Sequence, residues 1–278
     1  MSYRTILVHA DLSRHAPDRI RVAAQLARAC GAHLAGLAAT GVSRTIFPQG
    51  CHPLPGSLEA SYFDPLHARA EQALVQFGKI AAEADVSHES RLVWDLASDA
   101  LARMARFSDL VVVSQDDPEE ALADTGGRIP EYVALTGARP VLMLPCVPVT
   151  REPGRHVLIA WNGSKEASAA MNAALPLLRR AGRVRIVSFR DPGMADAMDA
   201  QCEADLAAFL ARHAVRAEIM ASERHIDSGH GLLAMAAQEA CDLIVMGCYG
   251  HSRFRELILG GVTRTVLFGA RLPVLMAR

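Results

Sequence analysis

Lysine is almost missing from this 278-residue chain: Lys79 and Lys165 are its only two, and arginine carries the rest of the basic charge. Neither lysine stands in a Gly-Lys-Ser/Thr run, because Gly78-Lys79 is followed by Ile80 and Lys165 follows Ser164, so Walker-A chemistry is excluded. The six cysteines form no CxxC pair and show no regular spacing, a pattern that reads as buried free thiols. No apolar run approaches the roughly 18 residues that a membrane span requires. The opening MSYRTILVHADLSRHAP reaches Asp11 after a few apolar positions and is read as neither signal peptide nor anchor. With 29 basic and 30 acidic side chains, the net charge of −1 gives no global electrostatic reason to bind nucleic acid or an anionic membrane. A soluble, cytoplasmic protein is the expectation.

What is present is a duplication. Ile6-Leu-Val-His-Ala-Asp-Leu-Ser13 aligns with Val157-Leu-Ile-Ala-Trp-Asn-Gly-Ser164 at an offset of 151. The apolar face Ala16, Ile20, Ala23, Ala27 returns as Ala167, Met171, Ala174, Leu178 at that offset, which is one helix face written twice. Ser13 and Ser164 stand where N-caps are expected. Farther on, Asp109-Leu-Val-Val-Val113 matches Asp242-Leu-Ile-Val-Met246, and Pro140-Val-Leu-Met143 matches Pro273-Val-Leu-Met276, both at an offset of 133. The first half therefore carries about eighteen extra residues, placed at 41–65 where Pro, Gly, Ser, His and Cys cluster, and read as a loop near the first-half cleft. Two domains are expected, 1–147 and 153–278, joined through the proline-rich stretch Pro145–Gly154.

Short apolar runs alternate with helical patterns in both halves: strands at 3–9, 32–39, 88–94, 109–114 and 140–144, then at 155–161, 183–189, 216–221, 242–247 and 273–277. Helices are expected at 14–30, 62–84 and 98–106, then at 164–180, 195–213, 228–240 and 261–269. This alternation predicts an α/β fold, two tandem doubly wound five-stranded parallel-sheet domains. The Pro-Val-Leu-Met runs would leave exposed apolar edges, so the two copies are expected to pair with each other as an internal pseudo-dimer.

Ligands of open parallel sheets lie beyond the carboxyl ends of the strands. After strand 242–247 the chain reads Gly247-Cys-Tyr-Gly250, nine residues, then Gly260-Gly261-Val262-Thr263. Glycines allow another group to approach the backbone closely, and a helix start offers unpaired N–H groups, which together make a phosphate cradle. His251, Arg253, Arg255 and Arg264 add positive charge nearby.

The strands at 157–161 and 242–247, the G-x2-G-x9-G loop and the closing Pro-Val-Leu-Met together resemble the universal stress protein family, in two tandem copies spanning nearly the whole chain. The resemblance implies a stress-response regulatory protein that binds an adenine nucleotide, ATP or another, with or without Mg, and hydrolyses it slowly at most. It implies nucleotide-binding roles for Asn162, Gly247, Gly250, Arg253, Gly260, Gly261, Val262 and Thr263, with backbone near Val187 to Phe189 at the adenine edge. Gly261 stands where the family has Ser or Thr, and Asn162 where it has Asp. The first half keeps Asp11, but Ser114 and Asp117 replace the glycines, and Asp116-Asp-Pro-Glu-Glu120 would repel a polyphosphate. One working site at most is expected, in the second half. The family also has non-binding members that act as interaction or dimerisation modules; this remains the alternative, with a homodimer of tandem chains or another protein as partner.

Other clusters have plainer readings. Cys51, His52 and His67 lack a second ligand pair at zinc-like spacing. His225, Asp227 and His230 sit at a helix entry, where Asp227 or Ser228 is a cap. A Gly-x-Ser-x-Gly elbow is absent, so no catalytic residue and no metal site is assigned.

Overall fold

The computed structural model describes residues 2–46, 57–120, 128–149, 151–190, 200–223, 228–249 and 261–278. The chain forms two compact units, Tyr3–Arg139 and Pro140–Arg278.

In the first unit the elements are β1 (Thr5–His9), α1 (Ala16–Cys30), β2 (His33–Ala39), α2 (Leu58–Glu83), β3 (His88–Val93), α3 (Ala97–Ala105), β4 (Leu110–Ser114) and α4 (Ile129–Thr136). Its strands are parallel in the order β3-β2-β1-β4. The chain runs outward from β1 through β2 to β3 and then returns to the other side of β1 as β4. The order reverses there, and a crevice opens at the carboxyl ends of β1 and β4.

The second unit holds β5 (Val141–Leu144), β6 (His156–Ala160), α5 (Lys165–Leu178), β7 (Arg183–Arg190), α6 (Ala200–Arg212), β8 (Glu218–Glu223), α7 (Ser228–Gln238), β9 (Leu243–Gly247), α8 (Val262–Gly269) and β10 (Val274–Ala277). Its strand order is β5-β10-β9-β6-β7-β8. Its reversal lies between β6 and β9, at the same place in the repeat. β5, the last strand of the first repeat, pairs antiparallel with β10, Leu142 opposite Leu275. The two Pro-Val-Leu-Met copies therefore cover each other, as their apolar character required.

The repeated helix face is the buried one. Ala16, Ile20, Ala23 and Ala27 are fully buried, and so in effect are Ala167, Met171, Ala174 and Leu178. Removing a side chain the size of Ile20 from water contributes about 1.5–3 kcal/mol. The repeated aspartates also acquire a structural role. Asp109 accepts from the Arg4 and Thr5 amides at 2.7 and 2.9 Å. Asp242 accepts from those of Gly154, Arg155 and His156 at 2.9–3.1 Å. Each carboxylate thus ties down the entry to the first strand of its repeat.

Three local expectations are corrected. Ser13 does not cap α1: the N-cap is His15, without a side-chain bond, and Ser13 instead turns back to Asp11. Ser164 does cap α5, its Oγ accepting from the Ala167 amide at 3.1 Å, a contribution of about 1 kcal/mol. The irregular stretch at 41–65 gives way to helix at Leu58, where Ser57 caps α2 ahead of Pro65. Helix α4 was not expected, although its bounds are those of α8 shifted by 133 residues. No helix among the described residues is long and apolar enough to cross a membrane.

Candidate functional site

In both repeats the end of the first strand enters the same turn. Asp11 Oδ1 accepts from the Ser13 amide at 3.0 Å and from the Ser13 hydroxyl at 2.6 Å. Asn162 Oδ1 accepts from the Ser164 amide and hydroxyl at 3.2 and 2.7 Å. Asp11 and Asn162 are therefore equivalent in space as well as in sequence, each holding its strand-to-helix connection through a side-chain turn.

Beneath that turn the repeats diverge. In the first, Arg19 on the inner face of α1 is 2% exposed and spans three acceptors: the His9 carbonyl, Ser114 Oγ and Asp11 Oδ1, each at 2.8 Å. Burial pushes the Asp11 carboxyl up, but Arg19, His9 and the Ser13 bonds outweigh it and hold the group well below the usual carboxylate range. His9 is enclosed, with Nδ1 3.3 Å from Asp11. Burial lowers its pKa to about 4, Arg19 adding to the effect and Asp11 opposing it. By the same offsets, the second repeat has Ala160, Asn162, Ala170 and Gly247 where the first has His9, Asp11, Arg19 and Ser114. Four positions change together from an ionic plug to small or uncharged groups.

The sign of the His9 contribution follows from its lowered pKa. Below about 6.5 the unfolded chain takes up a proton that folded His9 refuses until about pH 4, so this contribution is complete above 6.5 and is lost as pH falls toward 4. Between pH 6.5 and 5, urea unfolding should show wild type losing roughly 2 kcal/mol more than a His9→Gln variant. Parallel pH dependences of the two proteins would contradict the assignment.

A cavity of about 410 Å³ lies over this plug, lined by the ends of β1, β2 and β4, by α2 residues such as Leu66 and Arg69, and by Asp116, Asp117 and Glu120. The acidic segment folds back toward α1. Glu120 accepts from the Arg14 amide at 2.6 Å, and Asp117 meets the Arg14 guanidinium and His15 Nε2, the latter at 2.6 Å. The bond from His15 and those from Glu119 and Arg14 hold the Asp117 carboxyl below its ordinary range, against burial. Burial raises Asp116 to about 6, opposed by the Ile129 amide and Arg128. Carboxylates thus line this cavity beside Arg14 and His15.

In the second repeat, Asn162 is exposed in its turn, and Gly247 closes β9 directly beneath the first turn of α5. A Cβ at Gly247 would stand 2.5 Å from the Ala167 nitrogen and 2.6 Å from the Glu166 carbonyl carbon. Helix packing alone therefore requires glycine at 247. Gly261 is the N-cap of α8, which begins at Val262; Thr263 is buried, and Arg264 lies over the Phe268 ring at 5.8 Å. Val187 lies in β7, its carbonyl accepting from the Trp161 amide at 2.8 Å. Gly250, Arg253 and Gly260, with His251 and Arg255, lie outside the described residues, as do Cys51, His52, His225 and Asp227. His67 stacks on Trp94 with ring centroids 5.4 Å apart. The Arg19 plug was missed in sequence. Its signal was an arginine three residues after Ala16 on a face of alanines, a charge that cannot be buried without a partner.

Residues 154–278 match the family model described as the universal stress protein family. A universal stress protein from Archaeoglobus fulgidus superimposes with a TM-score of 0.75 at 16% identity, covering 99% of this chain and 96% of that one. A functionally unknown protein from Pseudomonas aeruginosa gives 0.60 at 16% identity, over 99% and 92%. No curated protein matches the chain in sequence. The chain is thus a tandem pair of universal stress protein folds, of which the second, residues 154–278, carries the family's sequence pattern.

Proposed function

We propose that the second repeat binds an adenine nucleotide, ATP in the first instance, and that the protein acts as a regulatory binder in the stress response. The observation that carries this reading is the replacement of His9, Asp11, Arg19 and Ser114 by Ala160, Asn162, Ala170 and Gly247. The first crevice spends its polar groups on itself, whereas the second has no charge in the corresponding positions. The start of α8 behind Gly260 and Gly261 supplies main-chain donors and the positive end of a helix dipole, which suit phosphate oxygens. In this reading the amides of Gly250, Gly260, Gly261 and Val262 face phosphates, with Thr263 and Arg253 beside them. Asn162 and Gly247 lie toward the nucleoside, and Val187 to Phe189 toward the adenine edge.

Calorimetric titration of the intact chain with Mg-ATP tests the reading: one site per chain is expected, and two would overturn the exclusion of the first repeat. A second reading has its own observation. Asn162 Oδ1 is engaged by Ser164, and Gly247 is required by α5, so both retained positions have structural roles without a ligand. No detectable site in the titration would favour an interaction or dimerisation module of the same family.

A further inference from the structure

A second cavity of about 320 Å³ lies in the first unit, away from the crevice at β1 and β4. It is bounded by α3, by α4 and by the turn that follows β2, and three of its lining residues are arginines: Arg44, Arg103 and Arg106. Two carboxylates share the cavity, and both are already engaged. Asp95 is 1% exposed and accepts from the Leu96 amide at 3.0 Å, the Arg44 amide at 3.5 Å and Arg103 Nη1 at 2.7 Å. Asp99 accepts from the Tyr132 hydroxyl. Among the described residues the Arg44 and Arg106 guanidiniums have no hydrogen-bonded or ionic partner, and Arg103 is held through one nitrogen.

The order of these contacts matters. Asp95 is buried and fixes the Arg103 side chain, so that guanidinium is set in place before any ligand arrives, while the Arg44 amide ties only the backbone of its turn to the same carboxylate. Three guanidiniums against two engaged carboxylates leave a local charge of +1. Guanidinium groups present paired N–H donors that match the oxygens of a phosphate. The volume falls at the low end of the range for small-molecule pockets and exceeds what an inorganic ion fills. The Thr45 hydroxyl and the Asp99–Tyr132 pair, at the cavity wall, suit a hydroxylated remainder.

We propose that this cavity is a binding site for a small phosphate monoester, its phosphate held by Arg44, Arg103 and Arg106. The site is independent of the nucleotide reading for the second repeat. Its test is a titration of the intact chain with glycerol phosphate, and with inorganic phosphate for comparison, followed by calorimetry in the presence of saturating ATP. Saturable binding of glycerol phosphate is expected. Arg44→Gln and Arg106→Gln should each weaken it by about 10-fold or more, the loss of charge-assisted bonds to an anion. Arg69→Gln, at the other cavity, should leave it unchanged. Absence of saturable binding, or binding that survives the Arg44→Gln/Arg106→Gln double variant, would overturn the proposal. So would binding that ATP abolishes, because the ester would then occupy the nucleotide site.

Discussion

Replacing Arg19 by methionine should cost the folded protein about 3 kcal/mol, read as a lower urea midpoint at an unchanged slope. Methionine nearly preserves the volume but strands Asp11 beside a neutral histidine and leaves the His9 carbonyl and the Ser114 hydroxyl without their donor. The loss belongs at the lower end for a broken buried pair because the Asp11 side chain stays 31% exposed. Pairing Arg19→Met with Asp11→Asn should recover part of it, since no uncompensated charge is then left behind. A loss below about 1 kcal/mol for the single variant would mean that cavity water solvates Asp11 well enough for Arg19 to be dispensable.

The second large effect is on binding. Gly260→Val should weaken adenine-nucleotide affinity by about 100-fold or more, equivalent to about 2.7 kcal/mol, with circular dichroism and the thermal transition unchanged. A branched side chain there keeps phosphate oxygens away from the main-chain donors that open α8, while α8 itself starts beyond it at Val262. The counterpart in the first repeat, Gly127→Val, should leave affinity untouched. Equal affinities for wild type and Gly260→Val would remove the 247–263 loop from the account.

The duplication made most of the architecture legible. Two offsets, 151 and 133, located the repeated strands, the paired Pro-Val-Leu-Met edges and the insertion between them. Apart from α4, which repeats α8, the misses arose where one repeat departs from the other. Ser13 aligns with Ser164, but α1 begins at Ala16 and α5 at Lys165, so both serines join the turn and only Ser164 also caps a helix. Pro17 in the first turn of α1 is a local signal for the later start, and Asp117 and Glu120 hold Arg14 and His15 ahead of it.

Strand order points to the carboxyl ends of the strands, and in the first repeat a cavity lies there. The acidic character of Asp116–Glu120 was legible in composition, and Asp116, Asp117 and Glu120 line the first-repeat cavity. Arg19 was hidden because a single arginine on a helix looks like any solvated charge until its face is known to be buried. Gly247 shows the opposite ambiguity: the motif gives it to a ligand, while the approach of Ala167 would demand a glycine in any case.

A crystal soaked with ATP tests the proposed nucleotide site most directly. The account predicts nucleotide density in the second repeat, phosphates against the chain at 250–263 and base toward the end of β7, with the Arg19–Asp11 pair of the first repeat undisturbed. Density in the first-repeat cavity, or a second crevice filled by the protein's own side chains, would contradict it.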